Sequence, residues 1–249
     1  MSWLADRTNR YYFNTACQVA HQGVSLASSL IITPLFLSLL GADRFGLWGT
    51  VGAIFGFLTL ADLGIAYSFI YSFAKPLANK DHEALWREVL AGVLAYIPLV
   101  LAIVPLALMI RPWFLGFIQT PEALRAEAST TFLLLLAAFA VRWTFTVSRS
   151  LLYAAERIDL LAITGIVITI AQTAAMAYAL LTGHGLVALA AVTLATSVAA
   201  AAAETFLSHR FVFPLSHCRW LWPGRQVFER QLRYGIKIWI AGIAEILQM

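Results

Sequence analysis

Two arginines lie inside a long apolar run, Arg142 and Arg149 in segment 130–154. An arginine at the middle of a membrane costs about 2.5–3.5 kcal/mol unless it faces water or a partner. Their spacing is nearly two helical turns, so both guanidinium groups share one face about 10 Å apart, with Thr146 between them. Because a guanidinium binds phosphate through paired hydrogen bonds, the pair predicts a cationic cavity wall for an anionic substrate such as a phosphate or an acidic sugar. Arg149 also fits a side chain that extends to the membrane surface.

Six further polar side chains in apolar segments complete the set of candidate cavity residues: Asp62, Gln18, His21, Gln22, Gln172 and Glu204. Asp62 fits pairing with an arginine, cation binding, proton transfer or closure of a helix break at Gly64. Glu204 lies near the end of its segment and either faces the cavity or reaches the membrane surface. The three polar residues of the first segment share one helix face by their spacing. Like Gln172, they are more typical of hydrogen bonds between membrane helices than of ligand contacts.

The segments that carry these residues are long enough to span a lipid bilayer. Of 249 residues, 61% are hydrophobic and 12% charged, against about 25% charged in a soluble domain. A soluble fold of this size cannot bury so many apolar side chains. Spanning takes about 20 apolar residues, and six segments meet that length: 13–40, 45–73, 89–110, 130–154, 160–181 and 186–208. The sequence predicts an all-α, polytopic membrane protein with a six-helix bundle.

The chain divides into three parts by composition. Residues 1–208 form the predicted six-helix lobe, and residues 209–233 form a basic linker that mixes arginines with tryptophan and proline. Such a linker suits the headgroup layer and contact with anionic lipids. Residues 234–249 begin a seventh apolar segment of about 16 residues, which is too short to span a bilayer. We therefore expect the chain to end inside an element, at the start of a second lobe.

Basic residues are distributed unevenly between the two sides of the predicted spans. Arg44, Arg111 and Arg125 fall on one side. Eleven fall on the other: Arg7, Arg10, Lys75, Lys80, Arg87, Arg157, Arg210, Arg219, Arg225, Arg230 and Arg233. Because cytoplasmic loops carry the excess of Lys and Arg, we predict a cytoplasmic N-terminus.

The chemistry of other protein classes is absent from the sequence. No phosphate-binding glycine loop, G-x-S-x-G elbow or H-E-x-x-H helix is present. Cys17 and Cys218 lie in unrelated settings without metal-ligand spacing. The net charge of +4 follows from the basic loops and does not require nucleic acid. We predict no enzymatic activity and no cofactor.

Four short motifs carry a resemblance to a known family. They are Leu-Gly-Ala-Asp-Arg-Phe-Gly-Leu-Trp at 40–48, Ala-Asp-Leu-Gly-Ile at 61–65, Ala-Glu-Arg-Ile-Asp at 155–159 and Gly-His-Gly-Leu at 183–186. In order and position relative to the spans, they resemble the Wzx-type polysaccharide flippases, which transport O-antigen and exopolysaccharide precursors. These flippases belong to the multidrug/oligosaccharidyl-lipid/polysaccharide exporter superfamily. The resemblance covers only the first of two six-helix lobes, and it implies a fold with a central cavity between the lobes.

The resemblance also implies a function in polysaccharide and lipopolysaccharide biosynthesis. The expected substrate is an oligosaccharide linked to undecaprenyl pyrophosphate, moved across the bacterial inner membrane by alternating access. The expected partners are a second lobe or second copy and the polysaccharide polymerase and export machinery. Two alternatives stay open. A cation-coupled multidrug antiporter of the MATE type would have an acidic residue in span one, where this chain has His21. A non-transporting membrane scaffold would have no cavity.

Overall fold

Every regular element is helical in the part of the chain that the structure, a computed structural model, describes. That part is residues 2–60, 63–117, 122–213, 223–224, 227–231, 233, 235 and 237. Its helices are α1 (Ser2–Leu40), α2 (Ala42–Leu60), α3 (Leu63–Ala78), α4 (His82–Phe117), α5 (Glu122–Thr144), α6 (Thr146–Ala154), α7 (Ile158–Leu181) and α8 (Leu186–Phe211). The predicted all-α fold is confirmed.

Five stretches of helix are long and apolar enough to cross a membrane. They are Asn9–Leu40, His82–Gly116, Glu122–Ala154, Ile158–Leu181 and Leu186–Phe211. They coincide with five of the six predicted spans. The remaining predicted span, 45–73, contains α2, described as far as Leu60, and α3, described from Leu63. Asp62, predicted to act in this span, lies outside the described residues.

Short turns lie at two of the glycine-containing motifs. Gly41 separates α1 from α2 with a φ of +84°, and Gly183 follows α7 with a φ of +77°. Residues with a Cβ atom rarely adopt this left-handed conformation, which is why glycine commonly ends a helix. Both turns are short, so each joins neighbouring antiparallel helices.

The fourth predicted span is interrupted at Phe145, between α5 and α6. Thr144 Oγ1 donates to the Ala140 carbonyl at 2.8 Å, and Thr146 Oγ1 donates to the Arg142 carbonyl at 3.1 Å. Threonine hydroxyls that bond back to the preceding turn bend helices. The backbone N–H of Ser148 then bonds the carbonyl of Phe145, only three residues earlier, at 3.2 Å. This local tightening joins the two helices into one slightly irregular span.

The helices pack in an order that differs from their order in the chain. Helix α1 lies against α7, α7 against α8, and α8 against α5 and α6, while α3 and α4 pack on the other side of α5 and α6. Aromatic rings fill the centre. Phe55 makes tilted contacts with Phe132 and Phe139, and Tyr96 meets Phe69 edge to face. Helix α2 has only small contacts, with α1 and α5, and this loose packing leaves space beside it.

Side-chain contacts, polar at one end and aromatic at the other, join the helices at both ends of the bundle. At the end that holds the α1–α2 turn, Glu127 accepts a hydrogen bond from Arg44 Nε at 3.0 Å and another from the backbone N–H of Leu186 at 2.8 Å. Glu127 thereby caps the first turn of α8. At the other end, the ring of Phe213 stacks on Trp86. Each set of contacts joins helix ends that lie on the same side of the bundle.

Candidate functional site

A cavity of about 840 Å³ lies between α1, α2, α3, α5, α6 and α8. A volume of this size accommodates a ligand of several hundred daltons. Its polar lining includes Gln18, Tyr67, Arg142, Thr146, Arg149, Ser150, Tyr153, Thr193 and Ser197. The α5–α6 span supplies the largest share of these groups, so this span forms the polar wall of the cavity.

Both predicted arginines line this wall. Arg142 stands at the end of α5, Arg149 stands in α6, and Thr146 lies between them on the same face. The irregular turn at Phe145 does not separate the two side chains, because both still border the one cavity. The shared face expected from their spacing is present, while their role in substrate binding stays a prediction.

Arg142 is held by a carboxylate from another helix. Its two terminal nitrogens donate to the two carboxylate oxygens of Glu204, each at 3.2 Å. The Glu204 side chain is only 8% exposed and that of Arg142 is 29% exposed. Such paired charge-assisted bonds fix both position and orientation. Glu204 therefore acts on the cavity through Arg142, and its own side chain is buried between the helices.

Arg149 has a different environment. Its guanidinium carbon lies 5.9 Å from the centre of the Tyr153 ring, within the range of a weak cation–π contact. Within the described part of the chain, no carboxylate pairs with it. Among the described residues, Arg149 is therefore the cavity arginine whose charge no carboxylate offsets.

Aromatic rings form much of the remaining surface. Trp48, Phe55 and Tyr67 come from α2 and α3, and Phe139 and Trp143 come from α5. The indole N–H of Trp143 is buried without a hydrogen-bond partner among the described residues. Buried indole N–H groups usually have a partner, so this donor is an exception among the described residues.

The other predicted polar residues are dispersed. Gln18 lines the cavity, whereas the side chain of His21 packs on Gly165 of α7. Gln22 is exposed on α1 and Gln172 is half-buried on α7. Neither they nor His21 lines the cavity.

Two structurally important polar residues were absent from the sequence prediction. Asn14 is buried; its amide donates to the Glu156 carbonyl at 3.1 Å, and its oxygen accepts from the Asp159 N–H at 3.2 Å. Asn14 lies four residues before Gln18 and therefore on the polar face of α1, so helical spacing could have predicted its polar role. Glu88 is also buried and accepts hydrogen bonds from Arg230 and Gln231, near the end of the predicted linker, a distant contact that no local pattern indicates.

No protein-family model and no curated protein sequence matches the chain. Its fold is similar to that of two solved structures. A "MATE in complex with MaD3S" superposes with a TM-score of 0.75 at 14% identity, over 94% of this chain and 53% of that one. A "MATE in complex with Br-NRF" superposes with a TM-score of 0.64 at 14% identity, over 94% of this chain and 52% of that one.

The likeness defines the class of fold. The chain has the all-helical fold of part of a MATE transporter, and it spans about half the length of the solved chains that it matches. The membrane-transporter fold expected from the sequence is confirmed at this level. The low identity carries no information about substrate.

Proposed function

We propose that this chain is one lobe of a membrane transporter that moves a lipid-linked oligosaccharide across the bacterial inner membrane. The proposed substrate is linked to undecaprenyl pyrophosphate, and the proposed N-terminus is cytoplasmic. The observation that carries this proposal is the charge of the cavity: Arg142 and Arg149 line it, and no Asp or Glu does so among the described residues.

The charge matches the most polar part of the proposed substrate. A pyrophosphate is a compact anion, and an uncompensated guanidinium in a poorly hydrated cavity attracts it more strongly than the same group does in water. Arg149 supplies that charge, and the N–H groups of Arg142 that Glu204 does not occupy supply further donors. The cavity therefore suits the headgroup of a polyisoprenyl pyrophosphate.

The uncharged lining matches the remainder of the headgroup. Tryptophan and tyrosine rings offer flat apolar surfaces edged by polar groups, which suit the faces and hydroxyl groups of sugars. Trp48, Tyr67 and Trp143 provide such surfaces beside the arginines. The volume of about 840 Å³ is large enough for the pyrophosphate and the first sugars, with the lipid chain outside.

A cation-coupled antiporter is the second candidate, because the structural likeness to MATE transporters fits it equally well. An antiporter for cationic drugs requires an acidic cavity. The described lining is basic, which favours the flippase. A scaffold without transport activity requires no cavity, so the cavity favours both transporters over it.

Ligand binding distinguishes the candidates directly. Protein purified from membranes is titrated with geranylgeranyl pyrophosphate or with ethidium, and binding is followed by quenching of tryptophan fluorescence, to which Trp48 and Trp143 contribute. We expect the pyrophosphate to bind and ethidium not to bind. Arg149→Gln should weaken pyrophosphate binding on the order of tenfold or more.

Arg125→Gln is the matched control, because Arg125 is exposed on α5 and does not line the cavity. Its affinity should equal that of the unmodified protein. Saturable binding of ethidium without binding of the pyrophosphate would support the antiporter and contradict the flippase. Equal losses in both arginine variants would show that binding is a non-specific charge effect.

A further inference from the structure

Glu204 is the only carboxylate that contacts an arginine of the cavity wall within the described part of the chain. It belongs to α8, and its oxygens reach the two terminal nitrogens of Arg142 from within the protein. The cavity is lined by Arg142 and not by Glu204 among the described residues. A ligand in the cavity therefore contacts the guanidinium of Arg142, and the carboxylate of Glu204 lies on the far side of that group.

The packing of α8 fixes the position of this carboxylate. Next to Glu204, Thr205 Oγ1 donates to Ser148 Oγ of α6 at 3.2 Å. One turn earlier in α8, Ala200 and Ala201 are buried, and small side chains of this kind let membrane helices approach closely. Glu204 is thus held beside Arg142 by contacts that do not involve the cavity.

The pairing changes what the two arginines offer to an anion. A guanidinium has five N–H donors, and Glu204 accepts from two nitrogens of Arg142 while cancelling its charge. Arg142 keeps donors for a ligand but contributes little net charge. Among the described lining residues, the cavity then carries about one net positive charge, from Arg149, instead of two.

From this arrangement we infer that Glu204 sets the affinity of the cavity for anionic headgroups by neutralising Arg142. The inference deepens the proposed function and rests on it. A transporter must bind its substrate well enough to load it and weakly enough to release it. Two uncompensated arginines on one wall would bind a pyrophosphate more tightly and slow its release. Glu204 is therefore a positioning residue that sets the affinity of the cavity through Arg142.

Binding measurements with Glu204→Gln test this role. The amide retains an oxygen that accepts from Arg142 but removes the negative charge. We expect the dissociation constant for geranylgeranyl pyrophosphate to fall on the order of tenfold. The affinity should also decline more steeply with added salt. A purely structural role predicts the opposite, because a loosened cavity binds more weakly.

Three further variants control the measurement. Glu127→Gln alters the comparable Glu127–Arg44 pair outside the cavity and should leave the affinity unchanged. Glu204→Asp keeps the charge and should restore an affinity near that of the unmodified protein. The double variant Arg142→Gln/Glu204→Gln removes both charges together with the donors of Arg142. It should therefore lose the gain in affinity while keeping the salt dependence of the unmodified protein.

The results separate this inference from the proposed function. Unchanged or weaker binding in folded Glu204→Gln, or a gain in affinity that persists in the double variant, would overturn the role of Glu204. If the single variant does not fold, the salt dependence of the double variant decides. A weaker dependence than in the unmodified protein would overturn the role, because it would show that Glu204 does not neutralise Arg142. If the unmodified protein binds no geranylgeranyl pyrophosphate, the flippase proposal fails. The same titrations with inorganic pyrophosphate then test Glu204, and absence of binding by Glu204→Gln would overturn its role.

Discussion

The two cavity arginines differ because of their neighbours. The heptad spacing of Arg142 and Arg149 predicts that they share a face, and both line the cavity. Their chemistry is nevertheless unequal, since Glu204 neutralises Arg142. Removing Arg142 alone leaves a buried carboxylate without a partner, which typically costs 3–5 kcal/mol, a range drawn from other buried pairs. Loss of export in an Arg142→Ala variant would therefore not distinguish lost binding from lost stability, whereas Arg149 has no such partner in the described structure.

Asn14 makes the clearest stability prediction for a single residue. Its amide connects α1 to the α6–α7 connection through two hydrogen bonds, to the Glu156 carbonyl and the Asp159 N–H. Asn14→Ala leaves these backbone groups unpaired, so we expect a loss of about 1–3 kcal/mol. Thermal unfolding in detergent measures the loss as a lower Tm. Gln22→Ala, at an exposed position of the same helix, should change stability by less than about 0.5 kcal/mol. Equal effects of the two substitutions would contradict the role of Asn14.

Gly165 leaves room for His21 where α1 and α7 pack together. A Cβ atom on Gly165 would lie 2.6 Å from Nε2 of His21, closer than van der Waals contact allows. Gly165→Ala should therefore separate the helices or displace the imidazole, at a cost of about 1–3 kcal/mol. Melting temperatures check this expectation. The added change His21→Ala should restore most of the stability.

Gly23→Ala serves as the control for this helix pair. A Cβ atom on Gly23 meets nothing within 4 Å, and alanine favours a helix interior over glycine by about 1 kcal/mol. Gly23→Ala should thus be neutral or slightly stabilising. If Gly165→Ala behaves in the same way, α1 and α7 are not in close contact at His21.

Some features of the helices could be predicted from the sequence, and others depend on how the helices pack. Hydrophobic length predicted the five spans that the described helices contain, because it is a local signal. The turns at Gly41 and Gly183 have a local signal as well, since glycine tolerates a positive φ. The interruption at Phe145 is accompanied by threonine hydroxyls that donate to backbone carbonyls of α5, and threonine also occurs in straight helices. The Arg142–Glu204 pair joins residues 62 positions apart. Their polar character was visible in the sequence, but their pairing depends on how α5 and α8 pack.

At the scale of the molecule, the cavity charge lies toward one end of the bundle. Arg149 is less than two turns from the end of α6 at Ala154, and the following connection bonds Asn14 near the start of α1. In the proposed orientation this end faces the cytoplasm, the side from which the proposed substrate enters. Arg149, which pairs with no carboxylate of the described residues, is then placed to meet its headgroup.

This argument depends on the orientation of the bundle, which cysteine labelling measures. The native Cys17 and Cys218 are first replaced by serine. Single changes are then made at two exposed positions: His184→Cys in the α7–α8 turn, and Asn79→Cys in the α3–α4 turn. Because the excess of basic residues lies on the side of Asn79, we expect a membrane-impermeant maleimide to label His184→Cys in intact cells. Asn79→Cys should react only after lysis. The reverse pattern would place Arg149 toward the opposite leaflet and contradict loading from the cytoplasm, while equal labelling of both in intact cells would contradict a single orientation.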